Sequence, residues 1–185
     1  MHTLITKPYE GIDKTKPYIL CVGKSRCDWD TVVEAYKTIN NTVAVCLYFL
    51  GGVDERFNNL NNILTLPYVS FDEMRDLISN VQFCILPIEN VKFSFGQIRL
   101  LQQMAMGKCV VAPKTISLSD YGKDKETILF YQPENVNSCK RAIETALKDV
   151  SLRSFIEKNA AKIVEAKFTE ERMAVSVERV LRNMA

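Results

Sequence analysis

The sequence predicts an α/β fold with a doubly wound, mostly parallel sheet, and two observations predict it. Short apolar runs such as Tyr18–Val22, Val43–Leu50 and Cys109–Ala112, the first two closed by Gly23 and Gly51, have the form of strands covered on both faces. Between them the apolar spacing changes to a helical period, so strands and helices alternate along the chain.

Residues 1–16 contain Pro8 and Gly11 with little periodicity and read as a tail or linker, which leaves 17–185 as one domain. Tyr18 to Gly23 is the first strand. Gly23-Lys24-Ser25-Arg26 follows at its C-terminal end, where open α/β sheets bind ligands. Lys24 and Arg26 there either grip a diphosphate or are solvated loop charges. Asp28 or Asp30 caps the next helix, on which Val32, Ala35, Tyr36 and Ile39 share a face. Trp29 reads as packed at that helix start rather than stacked on a base. Val43–Leu50 is a second strand, the Asn-rich stretch 53–62 has no clear pattern, and Ile63–Leu66 is a short third strand.

Ser70-Phe71-Asp72-Glu73 is a capping box with Val69 and Met74 spaced as a staple, predicting a helix from Phe71 to about Ser79. Val81–Pro87 is the fourth strand. Gly96 then opens a helix in which Ile98, Leu101 and Ala105 fall on one face with Leu100 and Met104 beside it. Its unpaired N–H groups and dipole make an anion site, unless Gly96 serves only to turn the chain. Cys109–Ala112 is a fifth strand and Ile128–Pro133 a short one. Three helices follow. Cys139, Ala142, Ile143, Ala146 and Leu147 line the first; Leu152, Phe155, Ile156 and Ile163 the second; Met173, Val177, Val180, Leu181 and Met184 the third. Thr169 caps the third, with Phe168 and Met173 spaced as a staple.

With 185 residues, 47% hydrophobic and 25% charged, the chain has the composition of one globular domain. A net charge of +2 without a basic run gives no nucleic acid partner to expect. Six cysteines form no C-x-x-C pair, and the one histidine is His2, so no metal is expected and a reducing, cytoplasmic setting fits best. No apolar leader or membrane span stands out. No G-x-G-x-x-G follows the first strand and no P-loop occurs, which removes the main support for dinucleotide or ATPase readings.

Ser94-Phe95-Gly96-Gln97, followed by Met104-Ala105-Met106-Gly107-Lys108-Cys109-Val110-Val111-Ala112, resembles the signature of the retaining, nucleotide-sugar-dependent glycosyltransferases of family 4, also called group 1. That signature runs acidic residue, Gly-containing loop, second acidic residue, then Ala-Met-Ala-x-Gly-x-Pro-Val-Val-Ala. Gly23-Lys24 resembles the family's Val-Gly-Arg turn, and Ser119–Gly122 and Ile128–Pro133 resemble its Asp-Tyr loop and a short strand ending in proline. The likeness spans roughly residues 18 to 184.

The resemblance implies a Rossmann-like domain, the C-terminal, donor-binding half of a two-domain B-type glycosyltransferase. It implies a diphosphate held by Gly23, Lys24, Arg26 and the backbone of Phe95, Gly96 and Gln97, and a base held at Tyr68, Val69 and Phe71. The family's paired glutamates correspond to Ser94, near the sugar, and Gln102, on the ribose. Both are neutral here, and charge-assisted bonds are about twice as strong. Ser94, Gln102, Lys24 and Arg26 are thus the catalytic set it implies. No metal or cofactor is called for, since the nucleotide-diphosphate sugar is itself the donor substrate. The implied partner is an N-terminal acceptor-binding domain that these residues lack, and any peripheral membrane association would come through that half. Alone, the domain would bind nucleotide and transfer no sugar. The loss of both glutamates motivates a second reading, a non-catalytic binding or assembly module on the same fold. A receiver-like or flavodoxin-like regulator would need an acidic cluster or flavin loops, and the sequence has neither.

Overall fold

The structure, a computed structural model, describes residues 16–23, 25–39, 46–50, 57, 62–66 and 69–184. Residues 1–15 of the expected tail, Lys24, residues 43–45 of the expected second strand, Tyr68 and most of the Asn-rich stretch lie outside the described residues.

Strands β1 (Tyr18–Val22), β2 (Cys46–Leu50), β3 (Ile63–Leu66), β4 (Cys84–Ile85), β5 (Val110–Pro113) and β6 (Leu129–Tyr131) form one six-stranded sheet in the order β3-β2-β1-β4-β5-β6. Every pairing is parallel. The order grows outward in both directions from β1 and β4, so the chain reverses its winding there, and the loops after these two strands flank the crevice that such a switch creates. The fourth strand is shorter than the sequence predicts, although its flanks stay in the ladder: Gln82 N–H donates to Tyr18 O and Leu86 N–H to Val111 O.

The helices cover both faces. On one, α1 (Trp29–Lys37) and α5 (Val136–Lys148) bury Val32, Val33, Tyr36, Cys139 and Ile143 against Ile19, Cys21, Ile85 and Val111. On the other, α2 (Phe71–Asn80), α3 (Gln97–Ala105), the short α4 (Ile116–Ser119) and α6 (Val150–Lys167) bury Leu77, Leu100, Met104, Leu118 and Ala160 against Leu20, Leu86, Val110 and Ala112. Alternate residues of β1 and β5 thus feed opposite cores, which is why these strands read as unbroken apolar runs.

Asp28, not Asp30, caps α1, accepting from Thr31 N–H at 3.1 Å. The capping box of α2 is complete: Ser70 Oγ accepts from Glu73 N–H, and the Glu73 carboxylate accepts from Ser70 N–H at 2.7 Å. Those bonds to the ionised form hold the Glu73 carboxyl below the usual range.

Three helical faces differ from expectation. In α3 the buried positions are Leu100, Gln103 and Met104, whereas Ile98 is 69% exposed. A polar residue occupies the inner face there, which disguises the true register. In α6 the inner residues are Ile156, Ala160 and Val164, with Phe155 exposed. In α7 (Glu170–Met184) Thr169 Oγ1 does accept from Arg172 N–H, yet Met173, Val177, Val180 and Leu181 are all exposed. Of the two residues spaced as a staple, Phe168 packs on Tyr121 at 5.3 Å between ring centres and Met173 is 65% exposed. No helix among the described residues is long and apolar enough to cross a membrane.

Candidate functional site

The loop after β1 and the segment after β4 are joined at the winding switch by a short antiparallel clasp. Cys27 pairs with Ile88. On either side of that pair, Asp28 N–H donates to Pro87 O at 2.7 Å and Glu89 N–H to Arg26 O at 2.9 Å, the alternation that antiparallel pairing requires. Arg26 turns into the clasp with φ of 53°, an uncommon conformation for a residue with a Cβ.

Two glycines make room for this clasp. A Cβ on Gly23 would meet Cys27 Sγ and lie 3.3 Å from the Trp29 ring, so a larger residue there requires the Cys27 side chain to move aside. Gly96 has φ of +86°, and a Cβ there would lie 2.9 Å from Ile88 Cδ1 and 3.0 Å from Cγ2. Gly23 and Gly96 therefore contact the two residues of one pair, Cys27 and Ile88, and the loops that carry Arg26 and the start of α3 meet through it. Trp29 is part of the core that holds this turn.

The start of α3 carries no side-chain cap; its first internal bond runs from Leu100 N–H to Gly96 O. Its foremost N–H groups are left to external acceptors. Gln97 Nε2 donates to Ser94 Oγ at 2.7 Å and closes the loop ahead of the helix. Phe95 is partly buried in the core, with Phe93 packed edge-on against it at 6.2 Å.

Charge at this rim is local. Arg26 Nη1 stands 3.5 Å from Glu89 Oε2, the Arg26 side chain being largely exposed and that of Glu89 partly so. Beneath the clasp, burial pushes the Cys139 thiol up to about 12 and the Cys21 thiol and Tyr131 phenol well above their ordinary values, so the underlying layer is uncharged at neutral pH. Arg99, on the first turn of α3, keeps Nη1 buried with no acceptor among the described residues.

Of the residues singled out from sequence, Arg26 and Gly96 contact the segment 87–89, Gly23 faces Cys27 across from it, and Ser94, Phe95 and Gln97 adjoin Gly96 in the chain. Val69 and Phe71 lie at the same rim after β3, two strands from β1 and therefore about 10 Å away at typical strand spacing. Phe71 is exposed with the Arg75 guanidinium over its ring at 6.0 Å. Gln102 is exposed in the second half of α3. Sequence reasoning missed Glu89 and Arg99. Glu89 falls between the strand and the motif, in a loop whose carboxylate no periodicity marks, and Arg99 carries no signal beyond being a cation on an amphipathic helix.

The chain is similar to several solved structures. It matches sucrose-phosphate synthase from Thermosynechococcus elongatus with a TM-score of 0.73 at 20% identity, covering 94% of this chain and 46% of that one. It matches HepE from Anabaena, solved in complex with UDP-glucose, with a TM-score of 0.75 at 14% identity, covering 91% of this chain and 49% of that one. The C-terminal domain of a glycosyl transferase group 1 family protein, LpcC from Francisella tularensis, matches over 85% of this chain and 90% of that domain, with a TM-score of 0.71 at 17% identity. The chain thus spans about half the length of the full-length structures and nearly all of the isolated C-terminal domain. No curated protein sequence matches it significantly. The family model described as glycosyl transferases group 1 matches residues 16–149, a span that takes in the clasp, both glycines and the six strands, and the chain belongs to that family.

Proposed function

We propose that this chain is the donor-binding half of a retaining glycosyltransferase and that it holds the diphosphate of a nucleotide sugar between the Arg26 loop and the start of α3. The observation that carries the reading is the clasp: Cys27 and Ile88 tie the loop of a cation to the uncapped end of a helix, at the switch point of a parallel sheet. Arg26 supplies a planar cation suited to two phosphate oxygens, and the amides of Gly96 and Gln97 supply fixed dipoles. As the bond from the sugar to the diphosphate breaks, negative charge grows on the leaving oxygen, and groups already aimed at it lower the barrier.

Lys24 would add a second charge from the same loop, and the segment Tyr68 to Phe71 would hold the base. Ser94 and Gln102, neutral where the family's signature has carboxylates, would contact the sugar and the ribose by hydrogen bonds alone. HepE binds UDP-glucose, which makes a uridine nucleotide the first donor to try.

Sugar transfer would need the half of the relatives that this chain does not cover, on the same or another polypeptide. Two apolar surfaces support such a partner: Phe93, Ile98 and Ile116 exposed at the rim, and Met173, Val177, Val180 and Leu181 along α7. A second reading, a non-catalytic module on the same fold, is favoured by one observation, the missing carboxylates at 94 and 102. Calorimetric titration of the chain with UDP, GDP and ADP and with their sugars separates the two. Saturable binding of one nucleotide and its sugar supports the donor site; a folded chain that binds none supports the module.

A further inference from the structure

The clasp also presents a carboxylate for which the donor-binding reading has no role. Glu89 is paired across the clasp with Arg26, its N–H bonded to the Arg26 carbonyl at 2.9 Å and its Oε2 3.5 Å from the guanidinium. The backbone bond fixes this neighbour, so a phosphate gripped by Arg26 comes to lie beside a negative charge. An acid at the centre of an anion site weakens binding of every anion, but not equally.

Building on the donor-binding reading, we infer that Glu89 is a specificity-determining residue that favours the nucleotide sugar over the bare nucleoside diphosphate. In the sugar the second phosphate is substituted on both sides, by the anhydride oxygen and by the sugar, and carries one negative charge. In the bare nucleotide it is a terminal phosphate bound only through the anhydride oxygen, and like other terminal phosphates it carries about −1.5 to −2 near neutral pH. Arg26 attracts the more highly charged terminal phosphate more strongly, and Glu89 offsets that preference by repelling it more. At a separation on the order of 5 Å in water-like surroundings, one additional unit of charge weakens binding about fourfold. Glu89 thereby reduces the advantage that Arg26 alone would give the nucleotide left behind, and it returns to Arg26 once the phosphate has gone.

The test uses the 185-residue chain unaltered and as Glu89→Gln and Glu89→Asp, titrated calorimetrically with UDP and UDP-glucose and with the matching guanosine and adenosine pairs. Glu89→Gln is isosteric and removes only the charge. It is expected to tighten both members of the pair that binds, the bare nucleotide about fourfold more than its sugar. Glu89→Asp keeps the unaltered ratio. The difference shrinks in 1 M salt, where the Debye length falls to about 3 Å. Melting temperatures stay within the small range expected of an exposed ion pair, which separates selectivity from a structural role. An unchanged ratio in Glu89→Gln, or a shift toward the sugar, overturns the inference while leaving the donor site in place. If the unaltered chain binds none of the six ligands, the donor-binding reading falls first and this inference with it.

Discussion

Replacing Gly96 by alanine adds one methyl group at the point where the two loops meet, and the structure sets what it costs. Alanine at φ of +86° carries the left-handed penalty of about 1–2 kcal/mol. The new Cβ would also stand 2.9 Å from Ile88 Cδ1 and 3.0 Å from Cγ2. The first atom can swing aside, but the second is anchored at the branch, so Ile88 must leave its rotamer at about 0.5–1.5 kcal/mol. Together these give about 1.5–3.5 kcal/mol, or a fall in melting temperature of about 3–14 °C for a chain of this size. Urea unfolding at constant m-value is the assay, run as a cycle with Ile88→Val. That substitution alone costs about 0.5–1.5 kcal/mol but removes Cδ1, so the shorter side chain can turn Cγ2 away more easily and Gly96→Ala costs less in its background, with a coupling of about 0.5–1 kcal/mol. The single variant also displaces Ile88 from the clasp, so its nucleotide affinity falls more than its stability accounts for. A neutral Gly96→Ala, or costs that add without coupling, would refute the contact from which the site is built.

Gln103 is 1% exposed, and neither atom of its amide has a partner among the described residues. Gln103→Leu is therefore expected to raise stability by about 1 kcal/mol, since a buried unpaired amide is replaced by an apolar group of similar size; a loss of stability in urea unfolding would show that the amide is satisfied. Ser70→Ala removes one half of the α2 capping box and is expected to cost about 1 kcal/mol. The pH dependence follows from Glu73, whose carboxyl is held low first by the Ser70 hydroxyl and then by the Ser70 N–H. That stabilisation is present above the ordinary carboxylate range and is lost as pH falls through the lowered value. Ser70→Ala should therefore flatten the acid limb of the stability profile, and an unchanged limb would mean that Glu73 is not engaged.

Much of the fold is legible in the sequence because its signals are local. An apolar run closed by Gly23 marks a strand, and Ser70 with Glu73 marks a helix start whatever surrounds it. The register of α3 is not legible in this way: Gln103 on the inner face and Ile98 on the outer one invert the usual pattern, and only packing against Leu86 and Ala112 decides between them. For the site, Gly23, Arg26 and Gly96 stand out by position after strands and by the motif they resemble. Their meeting through Cys27 and Ile88 does not stand out, since residues about sixty apart in sequence carry no mark of pairing. Glu89 is hidden for the same reason. The apolar face of α7 reads correctly as a stripe but not as an exposed one, because spacing reveals that a face wants cover and says nothing of what supplies it.

The measurement that tests the central claim most directly is titration of the chain and of Arg26→Ala with UDP, GDP and ADP. Hydrogen bonds to a charged group contribute about 1.5–3 kcal/mol, so the account predicts that whichever nucleotide binds will lose about 10- to 100-fold in affinity, with the melting temperature unmoved. Equal affinity of the two proteins for that nucleotide would contradict it.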